Sequence, residues 1–207
     1  MFTGIIKSTG RITGWKMNSV TVKMDTEGLV KGGSVAVNGV CLTAVNVSSG
    51  AVVFEVAPKT KELTNLTQAS EVNIELPVKP ADFLSGHFVT GHVDCTVRLS
   101  GIEKYGEFRK FRFTLSEKFA VFIAPRGSVA LDGVSLTVEG VEKNSFSVNV
   151  IPETLKRTNF SERKEGDAVN FEADVISRYV VNFLKKEPEV RRGVKEGLTE
   201  EKLKKWL

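Results

Sequence analysis

The chain has 207 residues with a formal charge of +4 and 41% hydrophobic residues, enough apolar material for one large domain or two small ones. Two cysteines, Cys41 and Cys95, in no metal-like spacing, argue against a disulfide scaffold. A mild, dispersed positive charge does not by itself imply nucleic acid, and no apolar run is long enough to cross a membrane. MFTGIIKSTG lacks the pattern of a signal peptide, so the expected compartment is the cytoplasm.

In chain order, the first elements recur. FTGII at Phe2–Ile6 is echoed by VTGHV at Val89–Val93, and SVAVNGVCLT from Ser34 by SVALDGVSLT from Ser128. FEVAPKTKELTNL at Phe54–Leu66 is echoed by VNVIPETLKRTNF at Val148–Phe160. VNIEL (Val72–Leu76) and VNFEA (Val169–Ala173) close the two copies. This is a duplicated domain, with a seam at the proline-containing stretch Pro77–Gly86. The first echo has a shorter offset than the others, so the second copy carries extra residues early on. A longer hairpin loop at Gly101–Phe111 is the expected place for them.

Period-two stretches such as SVTVKM and VVFEV, bounded by turn residues, predict β-structure throughout. Asn38-Gly39 and Asp132-Gly133 predict tight hairpins. The fold class expected is mainly β: two tandem homologous six-stranded Greek-key barrels and a C-terminal helical tail. The domains read as 1–85, 86–174 and 175–207. In the tail, Ile176, Tyr179, Val180, Phe183 and Leu184 fall on one helical face, to pack on the barrels or on other subunits. Thr199 is a candidate N-cap for a last short helix.

Strand alternation after each hairpin turn points Cys41 and Thr43 one way and Leu42 the other; Ser135, Thr137 and Leu136 repeat the pattern. Three differences between the copies carry chemistry: Ile5 becomes His92, Asn38 becomes Asp132, and Cys41 becomes Ser135. His92 is a candidate proton carrier, whereas His87 reads as structural. Asp132 has two open readings, catalytic carboxylate or turn-shaping residue. Cys41 has two open readings, a thiol donor or nucleophile and a small buried side chain. The FRKFRF segment at Phe108–Phe113 has the flavour of a single-strand-binding surface. Having no partner in the first copy, it reads instead as an amphipathic strand with a solvated basic edge.

MFTGI, NGVCLTAV, TGHVD, DGVSLTV and IPETLKRTN, in that order, resemble the trimeric two-barrel riboflavin synthase family across residues 1–173. The resemblance implies a transferase catalysing the last step of riboflavin biosynthesis. Two molecules of 6,7-dimethyl-8-ribityllumazine exchange a four-carbon unit, giving riboflavin and 5-amino-6-ribitylaminouracil, with no cofactor and no metal. It implies a homotrimer tied by the tail helices, and leaves open an association with the enzyme that makes the lumazine. For one pocket it implies Gly4, Ile5 and Ile6, then Cys41, Leu42 and Thr43, then Glu55, Val56, Ala57, Pro58, Lys59 and Thr60. For the other it implies Gly91, His92 and Val93, then Ser135, Leu136 and Thr137, then Asn149, Val150, Ile151, Pro152, Glu153 and Thr154. Arg126 stands where many relatives carry lysine, keeping the charge but not the amine. Phe2 and Ser34 match positions linked to activity. His92, Ser135, Cys41 and Asp132 are the candidate catalytic residues. The alternative is a non-catalytic lumazine- or flavin-binding protein of the same fold. Intact CLT, SLT and TGHVD phrases favour the enzyme.

Overall fold

A computed structural model describes residues 1–195, with side chains through 185. Thr199 and the expected last short helix lie outside these residues. Six antiparallel strands close the first barrel: β1 Ser8–Lys16, β2 Ser19–Lys23, β3 Ser34–Val37, β4 Val40–Ser48, β5 Ala51–Glu55 and β6 Glu71–Glu75, in the order β1-β2-β5-β4-β3-β6. A short helix, α1 (Pro58–Leu63), precedes β6. The second barrel repeats this with β7 Cys95–Tyr105, β8 Phe108–Thr114, β9 Ser128–Leu131, β10 Val134–Glu142, β11 Ser145–Val150 and β12 Ala168–Ala173. It adds α2 (Glu117–Ala120) and α3 (Pro152–Arg157). The described part of the tail is one helix, α4 (Val175–Lys195), and no described helix is long and apolar enough to cross a membrane.

Each barrel closes by the same devices. The Asn38-Gly39 and Asp132-Gly133 turns have positive φ at both residues, 48° and 75° in one and 46° and 80° in the other. That is the twist that flanking strands accept. Register slips between Ile12 and Gly14 in β1 recur between Leu99 and Gly101 in β7; those in β4 recur in β10. Such bulges bend strands and let a short sheet curl onto itself.

The extra residues of the second copy do not form a longer hairpin loop. The turn at Gly106-Glu107 is as short as its counterpart, and β7 and β8 are each two residues longer than β1 and β2. The remainder sits in the connection that holds α2. Extra hydrogen-bonded pairs are a lower-entropy way to accommodate inserted chain than an open loop. The basic residues of β8 are engaged locally. Lys110 pairs with Glu139 at 2.9 Å, Arg112 with Glu103 at 3.1 Å, and Arg109 donates to the Ser161 carbonyl.

The barrels meet at their hairpin tips. A Cβ added to Gly39 would lie 2.5 Å from the Gly133 nitrogen, so only glycine permits this approach. Around it Asn38, Asn65, Asn73, Asn159, Asn170 and Asp132, each nearly or fully buried, exchange hydrogen bonds across the seam. Phe2 pairs with Val89 beside it, both fully buried.

The predicted stripe of the tail helix does not pack on the barrels. Ile176, Tyr179, Val180, Phe183 and Leu184 are each at least half exposed. Among the described residues, the helix is anchored at its root, where Asp174 caps the Ile176 amide at 2.8 Å and Arg178 reaches Asp94 at 3.0 Å.

Candidate active site

The doubled polar phrase lies on the outside of each barrel. Leu42 and Leu136 point into the cores, while Cys41 and Ser135 are half-buried and Thr43 and Thr137 exposed on the outer face. A buried leucine between two outward polar groups is what a pleated strand imposes on this pattern.

Each outer face is closed by an arm from the other repeat. The Gly4 carbonyl accepts the Ser135 amide at 2.8 Å, and the Gly91 carbonyl accepts the Cys41 amide at 2.9 Å. Ile6 joins the apolar core of the second barrel, and Val93 packs on that of the first. This corrects the grouping that the family resemblance implied. Gly4, Ile5 and Ile6 belong with Ser135, not with Cys41; Gly91, His92 and Val93 belong with Cys41. The reason is the seam: Phe2 and Val89 pair antiparallel, so each arm leaves the seam towards the opposite barrel.

The cleft on the second barrel, of about 310 Å³, gathers Gly4, Ile5, Ile6, Ser135, Glu153 and Thr154 from the expected set. It adds Lys7, Val134, Arg157 and Thr158. A more open cleft of about 740 Å³ on the first barrel gathers Thr43, Glu55, Val56 and Ala57 with the β1–β2 turn, Lys16 to Ser19. Both are large enough for a bicyclic ligand. Pro58, Lys59 and Thr60 begin α1, and Lys59 is spent on an exposed pair with Glu62 at 2.9 Å. Asn149 and Ile151 are exposed at the end of β11, with Pro152 half-buried as the first residue of α3; Val150 is in the core.

The proposed catalytic groups separate. Asp132 is fully buried in the seam, where it accepts from Asn65, from the Asn170 amide and from Arg163. That geometry corrects the catalytic reading of Asp132 and supports the turn-and-seam reading. Ser135 stands 2.7 Å from the Nδ1 of His87, the histidine read as structural. Burial holds the His87 imidazole below its ordinary range, partly offset by Asp174, which keeps it neutral near neutral pH. His87 lies upstream of the VTGHV phrase, outside the compared segments, so the repeat comparison carried no signal for it. His92 is exposed on the arm, and its imidazole makes no hydrogen bond among the described residues. Arg126, exposed with φ of 67°, lines neither cleft. Phe2 is in the seam, and Ser34 lies in β3 opposite Thr43. At Cys95, burial, with Asp94 beside it, pushes the thiol up to about 12, which keeps it unreactive.

Two closed barrels, each with an outward polar pair capped by the other's arm, define a double lumazine-binding-domain protein. The model of the lumazine binding domain matches the chain twice, over residues 3–77 and 90–174. The chain is 35% identical to riboflavin synthase of Bacillus subtilis over 195 residues, covering 90% of this chain and 91% of that protein. It is 40% identical to riboflavin synthase of Brucella abortus over 199 residues, covering 88% and 98%. The chain belongs to the riboflavin synthase family. In fold it is similar to LumP, solved in complex with riboflavin, with a TM-score of 0.76 at 23% identity over 84% of this chain and 99% of LumP.

Proposed function

We propose that the protein is a riboflavin synthase. It takes two molecules of 6,7-dimethyl-8-ribityllumazine and transfers a four-carbon unit between them, releasing riboflavin and 5-amino-6-ribitylaminouracil. The observation that carries this reading is the pair of outer-face sites, Cys41–Thr43 and Ser135–Thr137, each closed by a glycine arm from the other repeat. A reaction whose donor and acceptor are the same molecule needs two related sites, and their inequality lets the two rings play different parts. Holding both rings in contact supplies about 7–11 kcal/mol of the barrier by removing a bimolecular encounter.

In this reading the acidic C7 methyl of one lumazine loses its proton to His92 or to a water that it positions. Ser135, with His87 behind it, offers a hydroxyl to the ring in the second-barrel site. Cys41 plays the corresponding part in the first. Both clefts open outward, so the reacting pair forms where the first barrel of one subunit meets the second barrel of another. The exposed apolar stripe of α4 supports a homotrimer, with residues 175–207 acting as the trimerisation tail of the barrel domains 1–85 and 86–174. The cytoplasm is the compartment in which we place it.

Purified protein mixed with the lumazine and no added cofactor is expected to accumulate riboflavin. A fluorescence shift without net riboflavin would instead establish the non-catalytic binding protein. His92→Gln is expected to lower turnover about a hundredfold while leaving lumazine affinity nearly intact; unchanged turnover removes His92 from the mechanism.

A further inference from the structure

The arms that close the two sites are themselves held by a duplicated device. Glu75, the last residue of β6, is nearly buried, and one carboxylate oxygen accepts the Thr3 amide at 2.7 Å and the Thr3 hydroxyl at 2.8 Å. Its other oxygen accepts the Gly4 amide at 3.0 Å. Glu172 in β12 does the same for Thr90, at 2.8 and 2.6 Å, and for Gly91, at 3.0 Å. Three donors on one carboxylate fix both the position and the plane of an arm. Each arm then presses on the opposite site. A Cβ on Gly4 would lie 2.6 Å from the Ser135 Cβ, and one on Gly91 2.5 Å from the Cys41 Cβ. The Thr3 carbonyl also accepts the His87 amide at 3.2 Å.

We infer that Glu75 and Glu172 are positioning residues wired crosswise: Glu75 sets the Ser135–His87 site on the second barrel, and Glu172 sets the Cys41 site on the first. Each carboxylate acts through its Thr-Gly arm, not through its own barrel wall. This deepens the reading of those two faces as the reaction sites, yet it is testable without turnover.

Glu75→Gln and Glu172→Gln leave shape intact and turn one acceptor oxygen into a donor facing an amide. Two probes read the sites separately. Alkylation of Cys41 by iodoacetamide, followed by peptide mass spectrometry, reports on the first-barrel face, while Cys95 stays unreactive. The titration of the His87 imidazole, followed by nitrogen-resolved magnetic resonance, reports on the second. Glu172→Gln is expected to speed Cys41 alkylation about tenfold and to leave His87 unmoved, since bonds to a charged acceptor carry about that factor. Glu75→Gln is expected to raise the His87 titration midpoint towards its ordinary value as water reaches the ring, with Cys41 alkylation unchanged. Where a glutamine variant fails to fold, Thr90→Val and Thr3→Val, which remove only the hydroxyl bond, should give the same crossed pattern at smaller amplitude. An uncrossed pattern, equal effects of both variants on both probes, or no effect on either probe overturns the inference. Riboflavin formation is measured on the same samples. Loss of turnover in the parent protein with the crossed pattern intact would count against the proposed reaction alone.

Discussion

The two barrels share a backbone plan but not a filling. The first is packed with valines and the single core phenylalanine Phe54, while the second carries Phe111, Phe113, Phe146, Phe160 and Phe171. Four aromatic contacts tie the second set together, among them an edge-on pair of Phe111 and Phe160 at 5.2 Å. Val52, Leu66 and Ile74 of the first copy stand where Phe146, Phe160 and Phe171 stand in the second. A duplicated fold thus tolerates wholesale change inside each core, because each barrel repacks on its own. The seam is different. Its asparagines recur in both copies, Asn65 with Asn159 and Asn73 with Asn170, because every group there must satisfy a partner from the other barrel.

The one departure from that symmetry explains itself. Asn38 is matched by Asp132, and Asp132 pairs with Arg163, whose side chain is 14% exposed. Arg163 comes from the α3–β12 connection, which is three residues longer than the α1–β6 connection. The first barrel offers no such cation, and there the neutral amide suffices.

The sharpest way to break the comparison is at the arms. Gly4→Ala and Gly91→Ala place a Cβ into the opposite barrel at residues with φ of 75° and 80°. Each is expected to lower kcat/KM about a hundredfold in steady-state assays, the cost of displacing a site by a fraction of a residue. Next, Asp132→Asn gives the second barrel the first barrel's turn and leaves Arg163 with the longer 3.9 Å contact to Asp167 in place of its close buried partner. Urea unfolding should show a loss of about 3 kcal/mol, and adding Arg163→Met should recover part of it. The reciprocal Asn38→Asp puts a second carboxylate in the seam, with the Asn159 side chain lying between it and Asp132. A loss of about 2 kcal/mol is expected at neutral pH, shrinking in acid as the group takes up a proton. The smallest effect concerns His87. Its folded form resists protonation, so below about 6.5 the unfolded chain binds a proton that the folded chain refuses, and stability falls as pH drops. His87→Gln should flatten that limb of a stability–pH curve.

Much of this was legible in the residues. The duplication, the six strands per copy, both Asx-Gly turns and the outward polar pairs follow from local pattern, because period-two alternation and turn chemistry are written within a few neighbouring residues. The amphipathic stripe of the tail was legible too, though not what it faces. Three things were not legible. Gly4 and Gly91 serve the barrel opposite to the one the family resemblance implied, because the arms cross at the seam. The repeat comparison set Asp132 beside Asn38 as a chemical difference, where Arg163, thirty-one residues further on, supplies its partner. It passed over His87, whose partner Ser135 is forty-eight residues away.

The sequence by itself determined two barrels and two copies of one polar phrase. Both depend on contacts between near neighbours, and a repeated string repeats them. Only the tertiary structure decided which arm serves which barrel and which carboxylate is spent on the seam. Those outcomes depend on how two similar surfaces dock, and a pairing between distant segments leaves no periodic mark in either one.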